Sequence, residues 1–94
     1  MFEICHSSPG TVSLVGRLDA AQEQKARSVL DSLDETTVLD FQELSYIASA
    51  GLGILLRAQK RLQAQGKTLR VVNLNPHLRE ILKMVSFDRV FQLD

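Results

Sequence analysis

Ninety-four residues, 45% of them apolar, suffice for one packed core and are too apolar for a disordered chain. Eleven Lys and Arg balance eleven Asp and Glu, so no cationic field favours nucleic acid, and no apolar run approaches the ~20 residues of a membrane span. The chain lacks a signal-like start, and a lone Cys5 excludes an internal disulfide framework and a cysteine-based zinc site; the reading is a cytoplasmic single domain over residues 1–94, with Cys5 as a core thiol.

Val12, Leu14, Gly16 and Leu18 alternate with Thr11, Ser13, Val15 and Arg17, the period of a half-buried strand. Residues 2–5 add an edge strand, and Pro9-Gly10 between the two marks a hairpin turn. The period then changes. Ala26, Val29, Leu30 and Leu33 recur at helical spacing with Gln22, Glu23, Lys25 and Arg27 opposite them, which predicts a surface helix starting near Asp19. Thr37–Phe41 and Leu69–Leu74 are β-prone runs. Between them a second helix opens at Ser49, runs through Leu52, Leu55, Leu56 and Leu62, and ends near Gln65 with Gly66 as a left-handed cap. Strand, helix and strand with short joints make a crossover unit, so those two strands should be parallel. Asn75 and Pro76 then read as N-cap and first residue of a last helix with Leu78, Ile81, Leu82 and Val85 on one face, and Phe87 to Leu93 closes the chain. These elements predict an α/β fold: a mixed sheet of four or five strands, an N-terminal hairpin, and three or four helices packed on it.

The stretch Ala48-Ser49-Ala50-Gly51-Leu52-Gly53 carries the chemistry. Ser is a preferred N-cap, worth about 1 kcal/mol, and this is the plain reading of Ser49. Two glycines in the first turn weaken a helix by roughly 1 kcal/mol each, so close packing or partner docking is needed to account for Gly51 and Gly53. A dinucleotide fingerprint fails, because Leu56 stands where its third glycine belongs and no acid follows near Val71 to Asn73. Neither glycine cluster completes a phosphate-binding loop. The nucleophile elbow also fails, since Ile47 stands where it requires a glycine. His6 and His77 sit in no pattern that marks a general base, and the acids are scattered without metal-ligand spacing. No catalytic, cofactor or metal site is therefore expected. Arg57, Lys60, Arg61 and Lys67 recur away from the leucines, either as a solvated face or as cations for a partner's acids.

Taken together, Gly16-Arg17-Leu18-Asp19, Leu39-Asp40-Phe41, Ile47-Ala48-Ser49-Ala50-Gly51-Leu52-Gly53 and Phe87-Asp88-Arg89-Val90-Phe91 resemble the STAS domain of bacterial anti-sigma-factor antagonists. The resemblance covers essentially the whole chain and is most specific at Ser49-Ala50-Gly51-Leu52-Gly53. It implies a module that binds a serine-kinase-type anti-sigma factor and frees that factor's target. Phosphorylation by the kinase breaks the complex, and a metal-dependent serine phosphatase reverses the modification. Carried over by position, Ser49 is the phosphoacceptor, Asp19 the acidic position of the neighbouring loop, and Asp40 the end of the central strand. The implied partner surface is Asp19, Ala48, Ser49, Ala50, Gly51, Leu52 and Gly53, with Arg57 added from the polar face of the helix. Two positions depart from the pattern: Ala48 replaces an acid common before the phosphoacceptor, and Arg17 replaces a glutamate. A second reading is a STAS module that binds protein constitutively, such as a transporter accessory subunit.

Overall fold

The computed structural model describes residues 2–89 and 91–93. Ten short elements follow one another: β1 (Phe2–Ser8), β2 (Thr11–Leu18), a 3-10 turn (Ala20–Gln22), α1 (Glu23–Leu30), β3 (Thr37–Ile47), α2 (Ser49–Gln63), β4 (Leu69–Val72), α3 (Pro76–Met84), a second 3-10 turn (Phe87–Arg89) and β5 (Gln92–Leu93). One five-stranded sheet runs in chain order, β1-β2-β3-β4-β5. β1 and β2 are antiparallel, and every later pairing is parallel, which makes the sheet mixed as expected. Pro9-Gly10 makes the hairpin turn, with Gly10 at φ 80°, where only glycine is free of strain. Val90, the fourth residue of the last family-like motif, lies outside the described residues.

β2 and β4 bury one alternation and leave the other open or half-open. Val12, Leu14 and Leu18 of β2, Leu39, Phe41, Leu44 and Ile47 of β3, and Leu69 and Val71 of β4 form the sheet's contribution to the core. Ala26 and Leu30 of α1, Ile54, Leu55, Ala58 and Leu62 of α2, and Leu78 and Leu82 of α3 close over it. Because Phe2 and Ile4 point inward on β1, Cys5, the residue after Ile4, points out and is exposed. The expectation of a core thiol is thereby corrected: a one-residue step along a strand turns a side chain to the opposite face.

β3 extends six residues beyond the β-prone run, to Ile47. Its inward rhythm passes through Thr37, Leu39 and Phe41 and then jumps to Leu44 and Ile47. The β2–β3 register shifts at the same level, between Ser13 and Val15 and again between Gly16 and Arg17. An irregularity that inserts a residue breaks period-two patterning, so alternation alone loses the strand after Phe41. Gly16 adopts φ 95° at this level, and its carbonyl accepts from the Ser45 hydroxyl at 2.9 Å. β4 is correspondingly shorter than its apolar run, ending at Val72, where Asn73 turns into positive φ.

The helix signals are local and hold well. Asn75 accepts from Leu78 N–H at 2.8 Å and Pro76 opens α3. α2 ends two residues before the expected Gln65, but Gly66 has φ 76° as required. Its N–H bonds Gln63 O at 3.0 Å while Lys67 N–H bonds Leu62 O at 2.8 Å, the paired closure of a Schellman motif. Val85 lies past the end of α3 and is 47% exposed, so it does not continue the Leu78–Leu82 face.

Gln59 is fully buried on α2 among Leu55, Ala58 and Leu62. Its Oε1 accepts from Leu69 N–H at 2.7 Å and its Nε2 donates to Thr68 Oγ1 at 2.9 Å. One side chain thus fastens the helix to the start of β4. Gln59→Leu keeps the volume but leaves that buried N–H unpaired, an expected loss of about 1–3 kcal/mol measurable by urea unfolding. An unchanged midpoint would show that the amide contributes shape alone.

Candidate functional site

β2 and β3 end side by side, with Leu18 opposite Ile47. At the next step Ala48 N–H donates to Leu18 O at 2.8 Å, which ties the two strand ends together at the point where α2 begins. Ala48 is extended, with φ −96° and ψ 172°, and its carbonyl receives Leu52 N–H at 3.0 Å. Ala48 is therefore the N-cap, and Ser49 is the first helical residue. This corrects the plain reading of Ser49 as a helix cap: its side chain lies one position too late to reach back to the orphan N–H groups.

The consequence for Ser49 is direct. It is exposed, and its hydroxyl has no hydrogen-bond partner among the described residues. Ala48 offers no side-chain acceptor, and no acid occupies the first turn. The other two starts are closed. Asp19 Oδ1 accepts from Ala21 N–H at 3.0 Å and Gln22 Oε1 accepts from Asp19 N–H at 3.1 Å, a capping box on the turn into α1; Asn75 serves α3. Asp19 lies beside the Ser49 turn, as the residue after Leu18, but its carboxylate is committed to this cap.

Gly51 and Gly53 do different work. Gly51 is buried, and a Cβ built on it would lie 2.8 Å from Leu18 Cγ and 2.9 Å from Ile47 Cγ1. It lets the first turn of α2 sit directly on the ends of β2 and β3. Gly53 is exposed, and a Cβ there would meet nothing within 4 Å, so the packing account that fits Gly51 does not extend to it. Ala50 and Leu52 are half-buried beside them, Leu52 packing on the core.

The basic residues are more engaged than a solvated face would be. Arg57 Nη2 lies 3.5 Å from Asp31 Oδ2, and Arg27 Nε lies 3.7 Å from the same oxygen, joining α1 to α2. Arg61 donates to Leu30 O at 3.0 Å, and Lys67, past the helix end, bonds Glu35 at 2.6 and 3.0 Å. Lys60 remains exposed. On the neighbouring strands the Arg17 guanidinium stands 4.4 Å over the Tyr46 ring, in register across β2 and β3. Asp40 is not at the end of the central strand as the resemblance implied: it is the fourth residue of β3, which runs on to Ile47, and it accepts from Gln42 N–H at 2.9 Å and Asn73 Nδ2 at 3.0 Å, away from the Ser49 turn.

The structure thus brings Asp19, Ala48, Ser49, Ala50, Gly51, Leu52 and Gly53 to one rim, with Arg57 two turns along α2. Sequence reasoning missed Asp31 and Arg27, which orient Arg57, and the Arg17–Tyr46 stack. The i, i+4 spacing of Arg27 and Asp31 was a signal for the first; the second depends on strand register. His6 and His77 are exposed, and no described side chain is bonded to the Ser49 hydroxyl as a base would be.

Such an arrangement defines a small α/β protein that presents an exposed serine hydroxyl at a helix start. The chain belongs to the STAS-domain family: the family model described as Mlab, STAS domain, matches residues 5–93. Among curated proteins it is 37% identical over 70 residues to BtrV of Bordetella bronchiseptica, which is named a putative anti-sigma factor antagonist. That match covers 73% of this chain, and the chain spans 60% of that relative's length. Among solved structures, an anti-sigma factor antagonist from Mycobacterium paratuberculosis matches with a TM-score of 0.82 at 20% identity, over 99% of this chain and 83% of that one. The Bacillus cell fate determinant SpoIIAA in its phosphorylated form matches at 0.71 and 20%, over 100% of this chain and 91% of that one. At these identities the structural likeness is one of fold. Among the described residues no helix is long and apolar enough to cross a membrane.

Proposed function

We propose that this protein is an anti-sigma-factor antagonist that binds a serine-kinase-type anti-sigma factor through the rim around Ser49 and so releases that factor's target. Phosphorylation of Ser49 by the kinase ends the interaction, and a metal-dependent serine phosphatase restores it. The protein acts in the cytoplasm as substrate and ligand, not as catalyst. The observation that carries this reading is the position of Ser49: first residue of α2, exposed, unbonded, and followed by N–H groups that no side chain caps. A phosphate there adds about −1.5 to −2 charges where the helix dipole and free N–H groups stabilise an anion. The fold is left intact while the docking surface changes sign. The kinship to BtrV, and the existence of a phosphorylated form of the structurally similar SpoIIAA, support it.

Incubation with the anti-sigma factor kinase and ATP, followed by mass spectrometry, tests the assignment. One phosphate is expected on Ser49 and none on Ser49→Ala. A second reading, favoured by the match to a family model described by Mlab rather than by an antagonist and by Ala48 in place of an acid, is a protein-binding or scaffold module without phosphoregulation, such as a transporter accessory subunit. If no phosphate appears and Ser49→Asp binds the partner like the wild type, this second reading replaces the first.

A further inference from the structure

Arg17 and Tyr46 meet because β3 carries an extra residue beside them. Gly16 pairs with Leu44 and Arg17 with Tyr46, so Ser45 is left between the two pairs, and its hydroxyl donates to Gly16 O at 2.9 Å. Without that insertion Ser45 would stand opposite Arg17. With it, Leu18 and Ile47 at the next step both point into the core, and Arg17 and Tyr46 share the outer face of the sheet. The exposed guanidinium lies 4.4 Å over the Tyr46 ring, a contact that holds the cation without giving its N–H groups an oxygen acceptor. Among the described residues Arg17 makes no hydrogen bond and no ion pair. The acids nearest it by register are set back or held. Glu3 and Glu43 flank Val15, two residues earlier, with Glu3 Oε1 3.4 Å from Lys25 Nζ, and Asp19 Oδ1 accepts from Ala21 N–H. Arg27 and Arg57, in contrast, both lean on Asp31. Arg17 immediately precedes Leu18, whose carbonyl takes Ala48 N–H, so the stack sits one residue before the turn that carries Ser49.

We infer that Arg17 receives a carboxylate of the protein that docks on the Ser49 rim, and that Tyr46 is a positioning residue that holds the guanidinium ready for it. A planar guanidinium with its donors unspent matches a carboxylate through two parallel N–H···O bonds. Stacking on the ring reduces the rotamer freedom that an exposed arginine gives up on binding. A cation of the partner placed here would meet a like charge that no bonded acid offsets. The inference deepens the proposed function and rests on the rim around Ser49 being a partner-binding surface; it names the chemistry of one contact there.

Substitutions at Arg17 test it, with the kinase-type anti-sigma factor as ligand in calorimetric titration. Arg17→Gln is expected to lose about tenfold in affinity and Arg17→Glu about a hundredfold or more, since the first removes a charge-assisted hydrogen bond and the second creates a like-charge pair. Arg17→Lys should fall between the wild type and Arg17→Gln, because the charge stays and the fork is lost. All three should melt like the wild type, as Arg17 is exposed and bonds no other described side chain by hydrogen bond or ion pair. Tyr46→Leu should cost about threefold in affinity, and adding it to Arg17→Gln should cost nothing more, because the ring acts through the guanidinium. Additive losses would remove the positioning role of Tyr46. Wild-type affinity in Arg17→Glu overturns the inference, and the antagonist reading stands if Ser49→Asp still weakens the complex. If the wild type binds no such kinase, the antagonist reading fails, and the Arg17 Nε–H signal is followed by NMR during titration with a glutamate-rich peptide and a lysine-rich one of equal length. A shift at Arg17 with the glutamate peptide alone, larger than that of the exposed Arg89, supports the inference; equal shifts at both arginines, or none, overturn it.

Discussion

Ser49→Asp is expected to reduce partner affinity by about a hundredfold or more while leaving the melting temperature unchanged or raised. The two effects have opposite signs for one reason. At the first position of an uncapped helix a carboxylate faces free N–H groups and the positive end of the dipole, which stabilises the folded protein by about 0.3–1 kcal/mol. A docked partner, by contrast, must desolvate that charge, and an unmatched or like charge at an interface costs several kcal/mol, with 1.4 kcal/mol for each tenfold. Ser49→Ala provides the control. Because Ala48 is the cap and the Ser49 hydroxyl bonds nothing among the described residues, its removal should shift stability by less than about 0.5 kcal/mol, where loss of a true cap would cost about 1. Titration calorimetry and thermal melts on the two variants separate a charge switch from general damage. Equal partner affinity for Ser49→Asp and wild type would remove the switch.

The second large effect is at Gly51. Val at this position places its Cβ 2.8 Å from Leu18 Cγ and 2.9 Å from Ile47 Cγ1, with two further methyl groups behind it. Leu18 is fully buried and Ile47 is 3% exposed, so neither can swing clear. Overpacking of this kind costs typically 1–3 kcal/mol, and the β-branched side chain belongs at the upper end. For a domain of this size that lowers Tm by roughly 10–20 °C. Gly51→Ala should lie between, because better helix propensity of about 1 kcal/mol offsets part of the clash. The displacement also lifts the first turn of α2 off the ends of β2 and β3, so Ser49 presentation and partner binding should weaken in step with Tm. A Gly51→Val protein that melts like wild type would show that the helix start can slide.

The contrast between these glycines shows where the sequence was legible. Pro9-Gly10, Gly66 and Asn75-Pro76 each announce a local conformation, and each adopts it, because turn and cap chemistry is settled by neighbours a few residues away. The apolar periods likewise survive within α1, α2 and α3, although Leu33 and Val85 fall past the ends of α1 and α3. β3 was half-read because the register shift breaks the alternation after Phe41. Cys5 was misplaced because its own residue type favours burial, whereas strand parity with Phe2 and Ile4 decided otherwise. Gln59 sits at core spacing between Leu55 and Leu62, a visible signal, but its partners arrive from the start of β4.

The sequence by itself determined the element types, the parallel crossover around α2, the family resemblance, and the placing of Ser49 at the joint between a strand and a helix. All of these follow from short-range periodicity and turn chemistry. Only the tertiary structure decided that Ala48 takes the cap position and leaves the Ser49 hydroxyl bare, that Gly51 is demanded by packing and Gly53 is not, and that Asp31 gathers Arg27 and Arg57 beside them. Each of those outcomes depends on which surfaces meet across distant parts of the chain, with Leu18 and Ile47 under Gly51 and α1 alongside α2. Contact between such segments is set by the folded sheet, and no local pattern encodes it.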